Sequence, residues 1–357
     1  MTMPLIDGPV GIHEAVLHDA SARARIDGYV RAHPDATPFH LTGWNVAVAR
    51  GCGQRAHCLV TENGSGAITG ILPLTEIASP LFGRALVSTG FGVGGGILAD
   101  DEASVAALAA AGWALAEARR CPSLELRGGP VPGPDWQVDE GAYLGFARDI
   151  AADDAAELLA IPRKQRAEVR KALANDLDIR VSRDTAARKA HYSVYAQSVR
   201  NLGTPVFPAR LFSEVLDELS DSSDILVVSD KGAPIASVLS LYMNGTVYPY
   251  WGGGTAAARG LRGNDAMYFA LMRHARQRGC TRFDFGRSKV GTGPAAFKKN
   301  WGFDGVPLRY AMRTAGDGQA REINPLNPKF RLMVAAWKRL PMPVANFAGP
   351  WISRGLG

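Results

Sequence analysis

Hydrophobic and polar positions divide the chain into short elements of two kinds. In the first half, His57–Thr61 and Ala67–Ile77 are strand-like. They flank the turn-rich Glu62-Asn63-Gly64-Ser65-Gly66, which predicts an antiparallel hairpin. Ala85–Thr89 is a further short strand. Ser104–Arg120 is alanine-filled and helical, with Ser104 as its expected cap and Arg119 and Arg120 suited to its C-terminal dipole. Ser123–Arg127 returns as a strand, and Gly128–Pro134 is a loop. In the second half Ile161–Asn175 is helical, with Pro162 in its first turn. Ile179–Ser182 is a strand. Ala186–Leu202 and Pro208–Leu219 are helices around the loop Gly203-Thr204-Pro205-Val206-Phe207. Three strands follow, Ile225–Ser229, Ile235–Met243 and Thr246–Trp251, the last two joined by the hairpin turn Asn244-Gly245. Asn264 is the expected cap of a helix that runs to Arg278 and stops at Gly279. Thr281–Phe285 and Leu308–Met312 complete the strands. Both halves run hairpin, helix, strand. That echo predicts a duplicated α+β unit, although no sequence repeat is visible.

Composition agrees with globular units. The chain has 357 residues, 46% apolar and 21% charged, enough for two domains with their own cores. Charge is uneven. Residues 1–150 hold no lysine, and the first is Lys164. The net +6 therefore conceals an acidic first half and a basic second half. A basic unit suits a phosphate, nucleic acid or anionic surface, or its charges are simply spread for solubility. Cys52, Cys58, Cys121 and Cys280 have neither C-x-x-C nor zinc-finger spacing, so neither a disulfide framework nor a metal site is expected. The start shows no signal-peptide pattern, and the longest charge-free apolar stretch, Ala103–Ala116, is too short to span a bilayer. A cytoplasmic location is expected, with peripheral contact to the inner membrane left open.

Gly90–Gly96 fits G-x-G-x-x-G by letter, but it does not open directly onto a helix, as a dinucleotide loop must. Close approach of backbone to backbone is the better reading. His40 and Trp44, one helical turn apart, line a pocket or pack a helix face. Arg163, Arg166 and Arg170 share one face of the Ile161–Lys171 helix, which clamps phosphates or carboxylates or is a plain solvated face. The densest chemistry lies between Tyr248 and Phe303. Tyr250 and Trp251 precede three glycines, and Asn264 and Asp265 open a helix, a natural anion seat. Asp284 sits between Phe283 and Phe285, as a base, an orienting group or half of a structural ion pair with Arg287 or a lysine.

Taken together these pieces resemble the FemAB family, in particular its branch associated with the PEP-CTERM/exosortase (XrtA) system. The matching runs are His33–Thr37 with Phe39, His40 and Trp44, Ile161–Lys171, Asn201–Pro208, Tyr250–Gly254, Asn264-Asp265 with Met267-Tyr268, Phe283–Lys289, Phe297–Phe303, Asn324–Pro328 and Trp337–Pro341. The resemblance implies an α+β fold of two tandem GNAT-like domains, expected at 1–148 and 149–322, with a basic C-terminal arm at 323–357. It implies an N-acyl or aminoacyl transferase that moves an activated acyl group to an amine, linked to exopolysaccharide or cell-envelope biosynthesis. By likeness Lys298, Lys299 and Trp301 stand near the acyl group or its donor, and Tyr250 and Trp251 line the acceptor groove. The three arginines meet phosphates or donor backbone. Asp284 is the expected proton acceptor or amine orienter. His40, Trp44, Asn264, Tyr268, Arg287 and Ser288 complete the expected binding set. No permanently bound cofactor or metal is expected. The donor is an acyl thioester or an aminoacyl-tRNA. The acetyl-CoA signature (Q/R)-x-x-G-x-(G/A) fails at the first and last positions of Gly260–Asp265, against ordinary acetyl-CoA use. The acceptor is an amine-bearing envelope precursor or lipid. The alternatives are a non-catalytic module that docks on a glycan or lipid carrier, and an N-acyltransferase of long-chain amines with residues 324–357 resting on a membrane surface.

Overall fold

The computed structural model describes residues 11–316 and 328–357. In chain order the elements are β1 (Gly11–Glu14), α1 (Ala20–Ala32), α2 (Thr42–Cys52), β2 (Arg55–Glu62), β3 (Ile68–Ser79), β4 (Gly83–Ser88), β5 (Leu98–Ala99), α3 (Glu102–Ala118), β6 (Ser123–Arg127) and β7 (Gln137–Asp139). Next come β8 (Tyr143–Asp149), α4 (Asp154–Ala160), α5 (Arg163–Leu173), β9 (Asp178–Ser182), α6 (Thr185–Leu202), α7 (Ala209–Glu218), β10 (Ser223–Asp230), β11 (Ala233–Met243) and β12 (Thr246–Gly254). The chain ends with α8 (Ala256–Leu261), α9 (Gly263–Gln277), β13 (Arg282–Lys289), α10 (Gly293–Asn300), β14 (Gly305–Pro307), β15 (Tyr310–Thr314), α11 (Pro328–Trp337) and α12 (Met342–Ser353).

These strands form two sheets. The first has the order β1-β2-β3-β4-β6-β15-β7, with β5 on β3, and the second β14-β8-β13-β12-β11-β10-β9. Each is antiparallel except for one adjacent pair, β4 with β6 and β12 with β13. A parallel pair requires a crossover, and a helix supplies it in each case: α3 in the first unit, α9 in the second. The hairpin–helix–strand echo is thus a pair of α+β units of like construction. Alternation along the strands places Leu72, Leu74, Leu86, Leu124 and Leu126 in the first core. Phe146, Val238, Phe269, Phe283, Phe285, Trp301 and Phe303 fill the second.

The glycine segment closes the first parallel pair. A Cβ on Gly96 would lie 1.9 Å from the Gly128 carbonyl oxygen, and one on Gly129 2.5 Å from that of Ile97. Two glycine runs cross there with no room for side chains. That is backbone meeting backbone, and β5 separates it from α3.

Several local expectations are corrected. Ser104 does not cap α3; Asp101 does, its Oδ1 accepting from the Ser104 N–H at 2.7 Å. Asn264 lies inside α9, whose N-cap is Arg262 at φ +56° with no side-chain cap bond. The strand expected at Leu308–Met312 is β15, and it pairs with β6 and β7 in the first sheet. The units are accordingly interleaved. One comprises the described parts of Met1–Asp139, Arg309–Ile323 and Arg354–Gly357, the other those of Glu140–Leu308 and Asn324–Ser353. The boundary expected after residue 148 falls within β8, which belongs to the second sheet. The tail expected as a separate arm groups with the second unit. There the Ser353 hydroxyl donates to the Val206 carbonyl at 2.8 Å, and Arg200 to that of Lys338 at 3.0 Å.

Candidate active site

The second sheet splits in its middle. β12 and β13 pair at Thr246↔Arg282 and Val247↔Phe283 and not beyond, although they run on to Gly254 and Lys289. A bulge accompanies each departure. On β12 the register moves from Ser240↔Pro249 to Leu239↔Trp251, so Tyr250 is the extra residue. On β13 it moves from Asp284↔Ala147 to Arg287↔Gly145, so Phe285 and Gly286 oppose Phe146 alone. Bulges bend and re-aim strands. Gly286, at φ +67°, supplies the turn that a side chain would resist. After Val247 and Phe283 the two strands are no longer paired with each other.

Two charged groups take hold of that bulge. Asp284 Oδ1 accepts from the Gly286 N–H at 2.8 Å. Lys298 Nζ, from α10, donates to the carbonyls of Gly286 (3.0 Å) and Arg287 (2.9 Å). Its ammonium also lies 5.3 Å and 5.5 Å from the ring centres of Phe146 and Phe285. Burial pushes Asp284 above the usual carboxylate range, against the pull of the Gly286 N–H and of the Lys298 and Arg282 charges. Burial also brings the Lys298 amine down to about 7; the Asp284 charge opposes this shift and that of Arg287 adds to it.

Aromatic rings back this corner. Tyr268 packs on Phe285 at 4.7 Å, Phe297 at 5.8 Å and the fully buried Trp301 at 6.1 Å. Ser288 is buried, and its hydroxyl has no partner among the described residues. The same holds for Asn264 Oδ1, which lies over the end of β12, where a Cβ on Gly254 would stand 2.5 Å away. Unsatisfied buried polar atoms are uncommon and mark places where a ligand or water completes the bonding. Arg287 stacks over Tyr143 at 4.7 Å.

Other expected residues are placed apart from this corner. Lys299 is exposed beside the buried Lys298, because one residue turns a helix by about 100°. Trp251 is buried against Phe212 (4.8 Å) and Phe207 (6.2 Å) as core, whereas Tyr250 stays half-buried at the bulge. Arg166 is occupied by the Leu159 and Ile161 carbonyls at the end of α4, while Arg163 and Arg170 are exposed on α5. In the first unit Trp44 is fully buried and donates to the Gly90 carbonyl at 3.1 Å, so it is packing. His40 accepts from the Thr37 N–H at 3.0 Å, and burial lowers its pKa to about 4. It also borders a first-unit cavity of about 620 Å³ lined by His33, Asp35, Asp100, Asp101 and Glu102.

Sequence reasoning missed one group and misread the setting of another. His191 is fully buried on α6, its Nδ1 2.9 Å from the Ser237 hydroxyl and its Nε2 without a partner among the described residues. A lone histidine in a helix carries no signal for that. Asp265 is buried and accepts from Gln165 Nε2 at 2.6 Å; burial raises its pKa to about 6. The expected anion seat at the start of α9 is therefore altered. α8 precedes it, and the Asp265 and Ala266 N–H groups donate back to the Arg262 carbonyl at 2.9 Å and 3.0 Å. The mismatch to the acetyl-CoA signature at this spot was the one legible hint.

Comparisons with known proteins bear on the fold. Residues 163–299 match the family model described as an acetyltransferase (GNAT) domain. No curated protein sequence matches the chain. Among solved structures, FemX is similar at 16% identity and a TM-score of 0.63, over 81% of this chain and 95% of that one. A C-terminal domain (DUF2156) ascribed to a lysylphosphatidylglycerol synthetase of Agrobacterium fabrum is similar at 14% identity and 0.55, over 84% and 94%. A tandem GNAT protein from the clavulanic acid biosynthesis pathway is similar at 14% and 0.52, over 87% and 100%. What the chain shares with these proteins is their fold.

Proposed function

We propose that the second unit is an N-acyl or aminoacyl transferase with Lys298 and Asp284 at its reacting centre. One observation carries the reading: a half-buried carboxylate and a buried amine grip the same glycine, Gly286. An ammonium has three donors, and Lys298 spends two on carbonyls. The third is available to the acyl carbonyl oxygen as it becomes an oxyanion. The acceptor amine attacks the carbonyl carbon and forms the C–N bond. Asp284 takes the amine proton. The C–S bond of a thioester donor, or the C–O bond of an aminoacyl ester, then breaks, and the proton held by Asp284 passes to the departing sulfur or oxygen, which restores the carboxylate. No covalent enzyme intermediate is needed, and positioning supplies much of the rate.

The exposed Lys299 and the partly buried Arg287 are assigned donor contacts. Tyr250 and the unsatisfied Asn264 and Ser288 are assigned to substrate, and Arg163 and Arg170 to acceptor phosphates. An amine-bearing envelope precursor or lipid is the acceptor this reading favours. The tie to exopolysaccharide and exosortase loci is supported by the sequence resemblance.

Thermal shift with acyl-CoAs, aminoacyl-tRNA and polyprenyl-phosphate sugars identifies the donor, and initial rates follow with that donor. Lys298→Ala and Asp284→Asn should each lower kcat by roughly 10²–10³-fold. kcat/KM should fall as pH rises past about 7, where Lys298 loses its proton. A rate that climbs through that range refutes the oxyanion role. If no donor raises the melting temperature and none is turned over, the chain is a binding module instead.

A further inference from the structure

The C-terminal helices carry a surface that the chemistry above does not use. On α12, Val344, Phe347 and Trp351 fall at i, i+3 and i+7, on one helical face, and their exposures are 47%, 88% and 55%. Met333 on α11 is 62% exposed. The opposite face of α12 is the packed one, with Ala345, Gly349 and Ser353 buried and Ser353 bonded to the Val206 carbonyl. Four large apolar side chains in so short a stretch are more than scattered surface residues. Charge indicates what covers them. Residues 324–357 contain Lys329, Arg331, Lys338, Arg339 and Arg354 and not one aspartate or glutamate. Lys338 and Arg339 are exposed in the turn that leads into α12. Aromatic and aliphatic side chains on one face of a short helix, in a purely cationic stretch, suit the headgroup region of an anionic bilayer. None of the described helices is long and apolar enough to cross a membrane, so the contact is peripheral.

We propose that α11 and α12 dock the second unit on an anionic phospholipid surface, with Phe347 and Trp351 seated among the headgroups and Lys338 and Arg339 facing lipid phosphates. The proposal stands on this surface alone and is independent of the transferase reading.

The test is flotation of the full chain with vesicles of phosphatidylcholine alone and of phosphatidylcholine mixed with phosphatidylglycerol. Binding is expected only to the mixed vesicles, and it should weaken as salt rises. Phe347→Asp should weaken it about tenfold or more, because the apolar contact is lost. Lys338→Glu with Arg339→Glu should weaken it by roughly 30-fold or more, from the lost attraction to anionic lipid. Both variants change exposed side chains, and an unaltered melting curve confirms that the fold is intact. Absence of binding to either vesicle, or equal binding by the variants, overturns the proposal. So does a wild-type dimer in solution that Phe347→Asp converts to a monomer, which makes this face a contact between two copies of the chain.

Discussion

Replacing Lys298 with methionine separates what this residue does for the fold from what it does for chemistry. Its amine titrates at about 7 rather than 10.5. A shift of that size corresponds to about 5 kcal/mol between protonation states, and about 2–5 kcal/mol after allowance for relaxation of the site. The sign follows from proton counts. Between about pH 7 and the unfolded value the unfolded chain holds a proton on this lysine that the folded chain does not. The lysine's contribution to stability is therefore full above the unfolded pKa and lost as pH falls through about 7. Methionine fills a similar volume without titrating, but it leaves the Gly286 and Arg287 carbonyls without their donor, at about 1–3 kcal/mol each. Near pH 7 these effects oppose and nearly cancel. By pH 10 only the loss remains. Urea melts of wild type and Lys298→Met from pH 6 to 10 should show a stability gap that widens in favour of wild type by about 2–5 kcal/mol. Catalytic rate should be low in the variant throughout. A gap that stays flat across this range would falsify the buried-amine argument, whatever happened to the rate.

Asp265 gives the opposite sign. Its pKa is raised to about 6, so its charged form is a burden on the fold above that pH. Asp265→Asn, which can still accept from Gln165, should stabilise by about 1–3 kcal/mol above pH 6 and have no effect below pH 4, as thermal melts against pH would show. At the crossing of the two glycine runs, Gly96→Ala forces a Cβ into the Gly128 carbonyl and should cost about 3 kcal/mol or more. Gly64→Ala, with nothing within 4 Å of the new Cβ, should stay within about 0.5 kcal/mol by denaturant melts, and equal effects at the two sites would contradict the crossing.

Local rules carried the sequence a long way. The strand and helix pattern, the duplicated order and the Asn244-Gly245 turn all depend on neighbours in the chain. In that turn both residues take positive φ, at +47° and +70°, as the dipeptide demands. The Phe283–Lys289 and Phe297–Phe303 runs stand out in the sequence as a candidate site because glycine, aromatic and charged residues seldom alternate in a plain core. Several outcomes needed the tertiary structure. β15 leaves its neighbours in sequence to pair with β6, since strand pairing is non-local and periodicity says nothing about the partner. Lys298 and Lys299 read alike as letters, yet one is buried on two carbonyls and the other is in water; only the orientation of α10 against β13 separates them. Arg166 looked like its helix-mates and is consumed by the carbonyls that end α4, and Trp251 looked like its neighbour Tyr250 and became core. Asp284 and Lys298 meet at one glycine because the β13 bulge turns the chain at Gly286 and α10 packs against that strand. Burial there sets both proton affinities, so the chemistry of the site is a property of the fold that holds these residues and of the water it excludes.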